Sequence, residues 1–132
     1  MVFSVVAATL FSVLGIKATA DFTTLKVEDV KIGTGETLKL GDTATFNFRL
    51  TMKNGTKVAG GDTFGSDNPP TFDFKEGSLI PGWTEGLVGL KEGGRRRLEV
   101  PSSLAYGQFG SDGIPPNTGL IFLVELVEII NE

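Results

Sequence analysis

Residues 77–93 read Gly-Ser-Leu-Ile-Pro-Gly-Trp-Thr-Glu-Gly-Leu-Val-Gly-Leu-Lys-Glu-Gly, and this stretch decides the fold class. Pro81 suits the first turn of a helix, where its fixed φ and missing N–H cost nothing. Ile80, Trp83 and Leu87 follow one another at three and four residues, so one side of the element is apolar. Gly93-Gly94 ends the region. It is the only convincing helix in the chain, and it is short.

On both sides the pattern changes to period two. Thr43 to Met52 alternates, with Phe46, Phe48 and Leu50 on one face and Thr45, Asn47, Arg49 and Thr51 on the other, the mark of a half-buried strand ending at an Asn54-Gly55 turn. Leu25 to Ile32, Phe72 to Phe74 and Arg95 to Val100 read as further strands, while Leu120 to Ile130 is almost continuously apolar, as expected for a strand crossing the middle of a sheet. Gly60 to Pro70 and Gly107 to Gly119 read as long loops, since Pro69-Pro70 and Pro115-Pro116 cannot donate to a ladder. The sum is an α+β fold, a twisted antiparallel β-sheet with one short α-helix. A chain of 132 residues with ten Phe and one Trp has material for one core and no more.

Composition removes most chemistry. With no His and no Cys, the usual zinc, copper and haem ligands, a thiol nucleophile and a Ser-His-Asp triad are excluded, and no cofactor is expected. Asp62, Asp67 and Asp73 lack the loop spacing of an EF-hand. Gly33-Thr34-Gly35 begins like a dinucleotide fingerprint, but no third glycine and helix follow, so it reads as a turn. The net charge is −4 and the one basic cluster, Arg95-Arg96-Arg97, lies inside a strand pattern. Nucleic acid is not an expected partner.

Residues 2–16, VFSVVAATLFSVLGI, form an apolar run too short to cross a bilayer comfortably, and Ala18-Thr19-Ala20 places small residues where a signal peptidase reads them. Residues 1–20 are expected to be a cleaved signal peptide and residues 21–132 the domain. Export to the periplasm, the extracellular space or an organelle lumen, endoplasmic reticulum or plastid, follows, with no stable membrane association afterwards; a signal-anchored membrane form is the alternative. Intact mass of the exported protein decides between them: the expected product begins at Asp21, and a retained amino terminus means an anchor. Asn54-Gly55-Thr56 is an N-glycan acceptor sequence in a eukaryotic secretory route, and equally a plain hairpin turn.

Several motifs together carry a family resemblance. Gly77, Leu79-Ile80-Pro81-Gly82-Trp83, Glu85-Gly86-Leu87 and Gly89-Leu90-Lys91-Glu92-Gly93, then Ala105-Tyr106-Gly107, Ile114-Pro115-Pro116-Asn117 and Leu120 to Leu126, stand in the order found in the FKBP-type peptidyl-prolyl cis-trans isomerases. The likeness runs from about Leu25 to Glu132. It implies a sheet wrapped over the helix and an aromatic pocket between them floored by Trp83. Carried over residue by residue, it implies catalytic roles for Tyr106, Trp83, Ile80 and Phe48, and substrate-binding roles for Phe64, Phe72, Leu79, Ile114 and Phe122. The Tyr106 hydroxyl and the Ile80 N–H would hold carbonyls of a bound peptide. Without the resemblance, each aromatic reads as ordinary core. The implied partners are proline-containing polypeptides and macrolide ligands of the family's class.

Two positions depart from the family pattern. A Tyr commonly stands where Phe48 does, and an Asp follows the Phe matched here to Phe64, where this chain has Gly65. Moving the gap aligns Val58-Ala59 with that Phe-Asp pair instead. Either way the Asp is missing. Three readings stay open: an isomerase assisting the folding of exported proteins, a low-activity chaperone or binding module for proline-containing or apolar segments, and an assembly partner.

Overall fold

The computed structural model describes residues 20–130; the expected signal peptide lies, but for Ala20, outside the described residues. Six strands form one sheet: β1 (Lys26–Lys31), β2 (Thr43–Met52), β3 (Lys57–Asp62), β4 (Thr71–Asp73), β5 (Arg95–Val100) and β6 (Leu120–Ile130), in the order β1-β5-β6-β2-β3, with β4 also on β2. Every pairing between strands is antiparallel. The single α-helix among the described residues, α1 (Pro81–Gly86), lies between β4 and β5 in sequence, and a 3₁₀ turn over Ser102–Leu104 follows β5. The long apolar run of β6 sits centrally, flanked by β5 and β2, as its composition requires.

The alternation in β2 is what makes the core. Ala44, Phe46, Leu50 and Met52 are buried with Leu98, Val100, Phe122, Val124 and Leu126 of the neighbouring strands, and Phe74, Leu87 and Leu90 close the cluster from the other side. The helix lies on β5 at very short range. A Cβ added at Gly82 would meet Val100 Cγ1 at 2.4 Å, and one at Gly86 would meet Leu98 Cδ2 at 2.9 Å. Two helix glycines therefore set the depth at which Trp83 enters the core.

The opposite face of the sheet is polar and paired. Arg49 bonds Asp62 at 3.0 Å, Arg95 bonds Glu125 at 2.8 Å and Arg97 bonds Glu99 at 2.6 Å. Arg96, pointing the other way, binds Asp29 on the edge strand and caps the end of α1 through the Gly86 and Val88 carbonyls. The three arginines are thus strand and helix fasteners.

Beyond shifts of one residue at the ends of β1 and β4, one boundary differs from the pattern reading. Gly60 to Asp62, expected in a loop, belongs to β3, because the pairing of β2 with β3 contains a wide bulge: Arg49 faces Asp62 and Thr51 faces Lys57, so Val58 to Gly61 stand opposite Leu50 alone. Gly60 takes a positive φ of 74°, and a Cβ on Gly61 would press on the Val58 carbonyl at 2.9 Å. Glycine is needed at both positions for the chain to fold out and return.

Candidate functional site

The bulge and the two long connections enclose a cavity of about 600 Å³ between the sheet and the helix. That is a size at which a few residues of a peptide fit. Its base is Trp83, 4% exposed and delivered by α1. Four phenylalanine rings meet the indole edge-on: Phe46 at 5.4 Å, Phe48 at 5.6 Å, Phe72 at 6.0 Å and Phe122 at 5.6 Å between centroids. Such arrangements set the positive edge of one ring against the negative face of another and lock the rotamers of both. The floor is therefore closely packed by rings on several sides.

Phe48, Phe72, Leu79, Ile80, Trp83, Tyr106, Ile114 and Phe122, eight of the nine residues singled out from the sequence, line this one cavity. Leu79 and Ile80 enter from the segment before α1. Ile80 is the N-cap, with φ −59° and ψ 146° and no side-chain cap; its carbonyl accepts from the Trp83 N–H at 3.0 Å, while its own N–H precedes the helix and is not used within it. Tyr106 stands at the rim, 38% exposed, and its hydroxyl has no hydrogen-bond partner among the described residues. Both groups can donate to a carbonyl that arrives from outside.

Tyr106 is positioned from a distance. Asp21 accepts hydrogen bonds from the Ser102 N–H at 2.8 Å and from the Ser102 hydroxyl, tying the segment before β1 to the 3₁₀ turn that leads into Tyr106. Burial works against the charge on Asp21, but those two bonds, the Phe22 N–H and the nearby Lys53 ammonium together hold its carboxyl below the usual carboxylate range. After the rim, the Gly110 N–H donates to the Tyr106 carbonyl at 3.1 Å and the Asn117 N–H to the Gly107 carbonyl at 2.9 Å, folding the long loop back over the cavity.

Phe64 is the exception. It does not line the cavity: its ring lies between the Arg49 and Arg95 guanidiniums, each 5.3 Å from the centroid, on the face of the sheet opposite Phe48. Phe64 therefore does not join the other eight residues at the cavity, whereas Val58 and Ala59, the other placement of the gap, both line it. The physical reason is the bulge, which spends its extra residues before Asp62 and so turns Phe64 to the outer face. Gly65 has a φ of 84° and open space around it. It faces no pocket residue.

Sequence reasoning also passed over Leu50, Ser78, Ala105, Ser111 and Asp112, which line the wall together with Gly60, Gly61 and Gly77. Leu50 was legible as a core residue of β2; the two serines and Asp112 carry no periodic signal, and only the path of their loops brings them here. Among the described residues no group of acidic side chains is arranged to hold a metal ion. No helix among them is long and apolar enough to cross a membrane.

Residues 34–127 match the model of the FKBP-type peptidyl-prolyl cis-trans isomerase family. The chain is 39% identical over 115 residues to the FKBP-type peptidyl-prolyl cis-trans isomerase FkpA of Escherichia coli, covering 87% of this chain and 40% of that relative. It is 39% identical over 106 residues to the FK506-binding protein of Neisseria meningitidis serogroup B, covering 80% of this chain and 95% of the relative. The crystal structure of FkpA superposes with a TM-score of 0.72 at 35% identity, covering 93% of this chain and 56% of that one. That of AtFKBP13 gives 0.71 at 25% identity, covering 86% and 99%. The chain thus spans well under half the length of the FkpA relatives and nearly all of the Neisseria protein.

Proposed function

This chain belongs to the FKBP-type peptidyl-prolyl cis-trans isomerase family, and we propose that its cavity binds proline-containing segments of polypeptides and catalyses rotation about the X-Pro bond. The observation that carries the reading is the ring-walled cavity over Trp83 with an unpartnered Tyr106 hydroxyl at its rim. Rotation about an amide has a barrier of about 18–20 kcal/mol because it breaks resonance, and uncatalysed X-Pro exchange takes roughly tens to hundreds of seconds. No proton has to leave the substrate and no covalent bond has to form. This suits a chain without His or Cys.

The twisted amide is less dipolar than the planar one, so a dry aromatic site disfavours the ground state more than the transition state. Proline seated on the Trp83 face leaves its ring fixed while the preceding carbonyl swings. Tyr106 and the Ile80 N–H act by holding the chain on either side of the rotating bond. An apolar residue before proline is favoured, since Phe72, Ile114 and Phe122 supply the wall it meets.

A second reading rests on one observation: Phe48 and Ala59 leave this part of the cavity without polar groups, which favours grip over turnover and a chaperone-like use. Export is part of the proposal, supported by the apolar run 2–16 and Ala18-Thr19-Ala20. NMR exchange on Xaa-Pro peptides tests the activity, with Trp83 fluorescence reporting occupancy. Exchange faster than the uncatalysed rate is the expected result. Occupancy without exchange selects the binding-module reading, and neither leaves the assembly partner.

A further inference from the structure

Among the described residues, Asp112 is the only charged one on the cavity wall. It sits at the tip of a tight turn closed by two reciprocal backbone bonds, Ser111 N–H to the Ile114 carbonyl at 3.0 Å and Ile114 N–H to the Ser111 carbonyl at 2.9 Å. Ile114 is itself 6% exposed and part of the core cluster, so the turn is anchored at its base. Its outer end leans toward the bulge: a Cβ on Gly113 would stand 3.8 Å from Val58 Cγ1. Asp112 is exposed and makes no hydrogen bond or ion pair with another described residue. The other carboxylates of the domain with a neighbouring arginine are spent on the outer face or the edge strand.

An unpaired carboxylate beside an apolar cavity produces a negative potential that low-dielectric walls concentrate at the mouth. Among the described residues no cation on the wall offsets it. Resting on the prolyl-binding reading above, we propose that Asp112 is a specificity residue: it favours prolyl segments carrying Lys or Arg near the bound proline and disfavours acidic ones. The cavity selects by apolar fit at its floor and by charge at its rim. Because the group is exposed, the discrimination is modest and salt-sensitive, on the order of threefold to tenfold between Lys and Glu peptides at low ionic strength.

The test uses otherwise identical prolyl peptides with Lys, Gln or Glu placed one or two residues to either side of the proline. Exchange rates by NMR and affinities by Trp83 fluorescence are measured at about 20 mM and about 500 mM salt, where screening differs several-fold in range. The expected result is a Lys-over-Glu preference at one or more positions that shrinks in high salt and in Asp112→Asn, and inverts in Asp112→Lys. Ratios taken within each variant cancel any change in overall activity. A ratio unchanged by Asp112→Asn at every position, or no binding of any peptide, overturns the proposal. Binding ratios that follow Asp112 without any exchange would overturn the isomerase reading alone.

Discussion

Replacing Trp83 by alanine is expected to cost about 3–5 kcal/mol of folding stability, the range for removing a buried large aromatic, and to abolish measurable binding of prolyl peptides. The size of the effect follows from how the indole is held. Four rings contact it edge-on, and α1 sits so close to β5 that the backbone cannot sink to fill the void. Each ring pair adds roughly 0.5–1.5 kcal/mol beyond area burial, and all four are lost together. Denaturant unfolding followed by circular dichroism measures the cost, since the sole Trp is then gone. Trp83→Phe separates the two roles: it keeps most of the apolar volume, so the fold survives with a smaller loss while exchange activity falls sharply. Equal activity in Trp83→Phe and the parent would remove the indole from the catalytic account.

The second large effect concerns Phe48 and Ala59. The family resemblance commonly implies a Tyr at the first and, with the gap placed after the hairpin, an Asp at the second; here Phe48 and Ala59 stand on the same cavity wall without either polar group. Phe48→Tyr alone adds a hydroxyl without an assigned acceptor and is expected to be neutral or mildly harmful. Ala59→Asp alone sets a carboxylate beside apolar surface, at an expected cost of about 1–3 kcal/mol where an unpaired polar group is left poorly hydrated. Together the two are expected to bond each other across the cavity wall. The double variant is expected to be more stable than the sum of the singles by roughly 0.5–3 kcal/mol, as contacting residues commonly couple, and to exchange X-Pro bonds faster than the parent. Gly65→Asp supplies the control. With open space around it and no place on the cavity wall, it should be additive with Phe48→Tyr within about 0.5 kcal/mol. Coupling at Gly65 and none at Ala59 would reverse the assignment made from the cavity.

Much of the domain was determined by local pattern alone. Thr43–Met52, Arg95–Val100 and Leu120–Ile130 are strands over the very residues their alternation or apolar continuity marks, because a pleated chain with one buried face has no other way to bury them. Pro81 begins α1 where its missing N–H is harmless. The ordered motifs around Trp83 and Tyr106 were sufficient to name eight residues of the cavity wall. The absence of His and Cys excluded thiol and imidazole chemistry without reference to any coordinates.

What only the tertiary structure decided is the part that depends on register between strands. Whether Val58-Ala59 or Phe64-Gly65 faces the cavity turns on where β3 spends its extra residues against β2, and both placements of the gap satisfy the local sequence. The answer comes from the cross-strand pairs Arg49 with Asp62 and Thr51 with Lys57, together with the two guanidiniums that hold Phe64 outside. Because successive residues in a strand point to opposite faces, a shift of one position exchanges pocket for surface. Asp112 has the same origin: its exposure and charge predict a solvated loop, and only the return of the chain from Tyr106 to Ile114 sets it on the wall of the cavity.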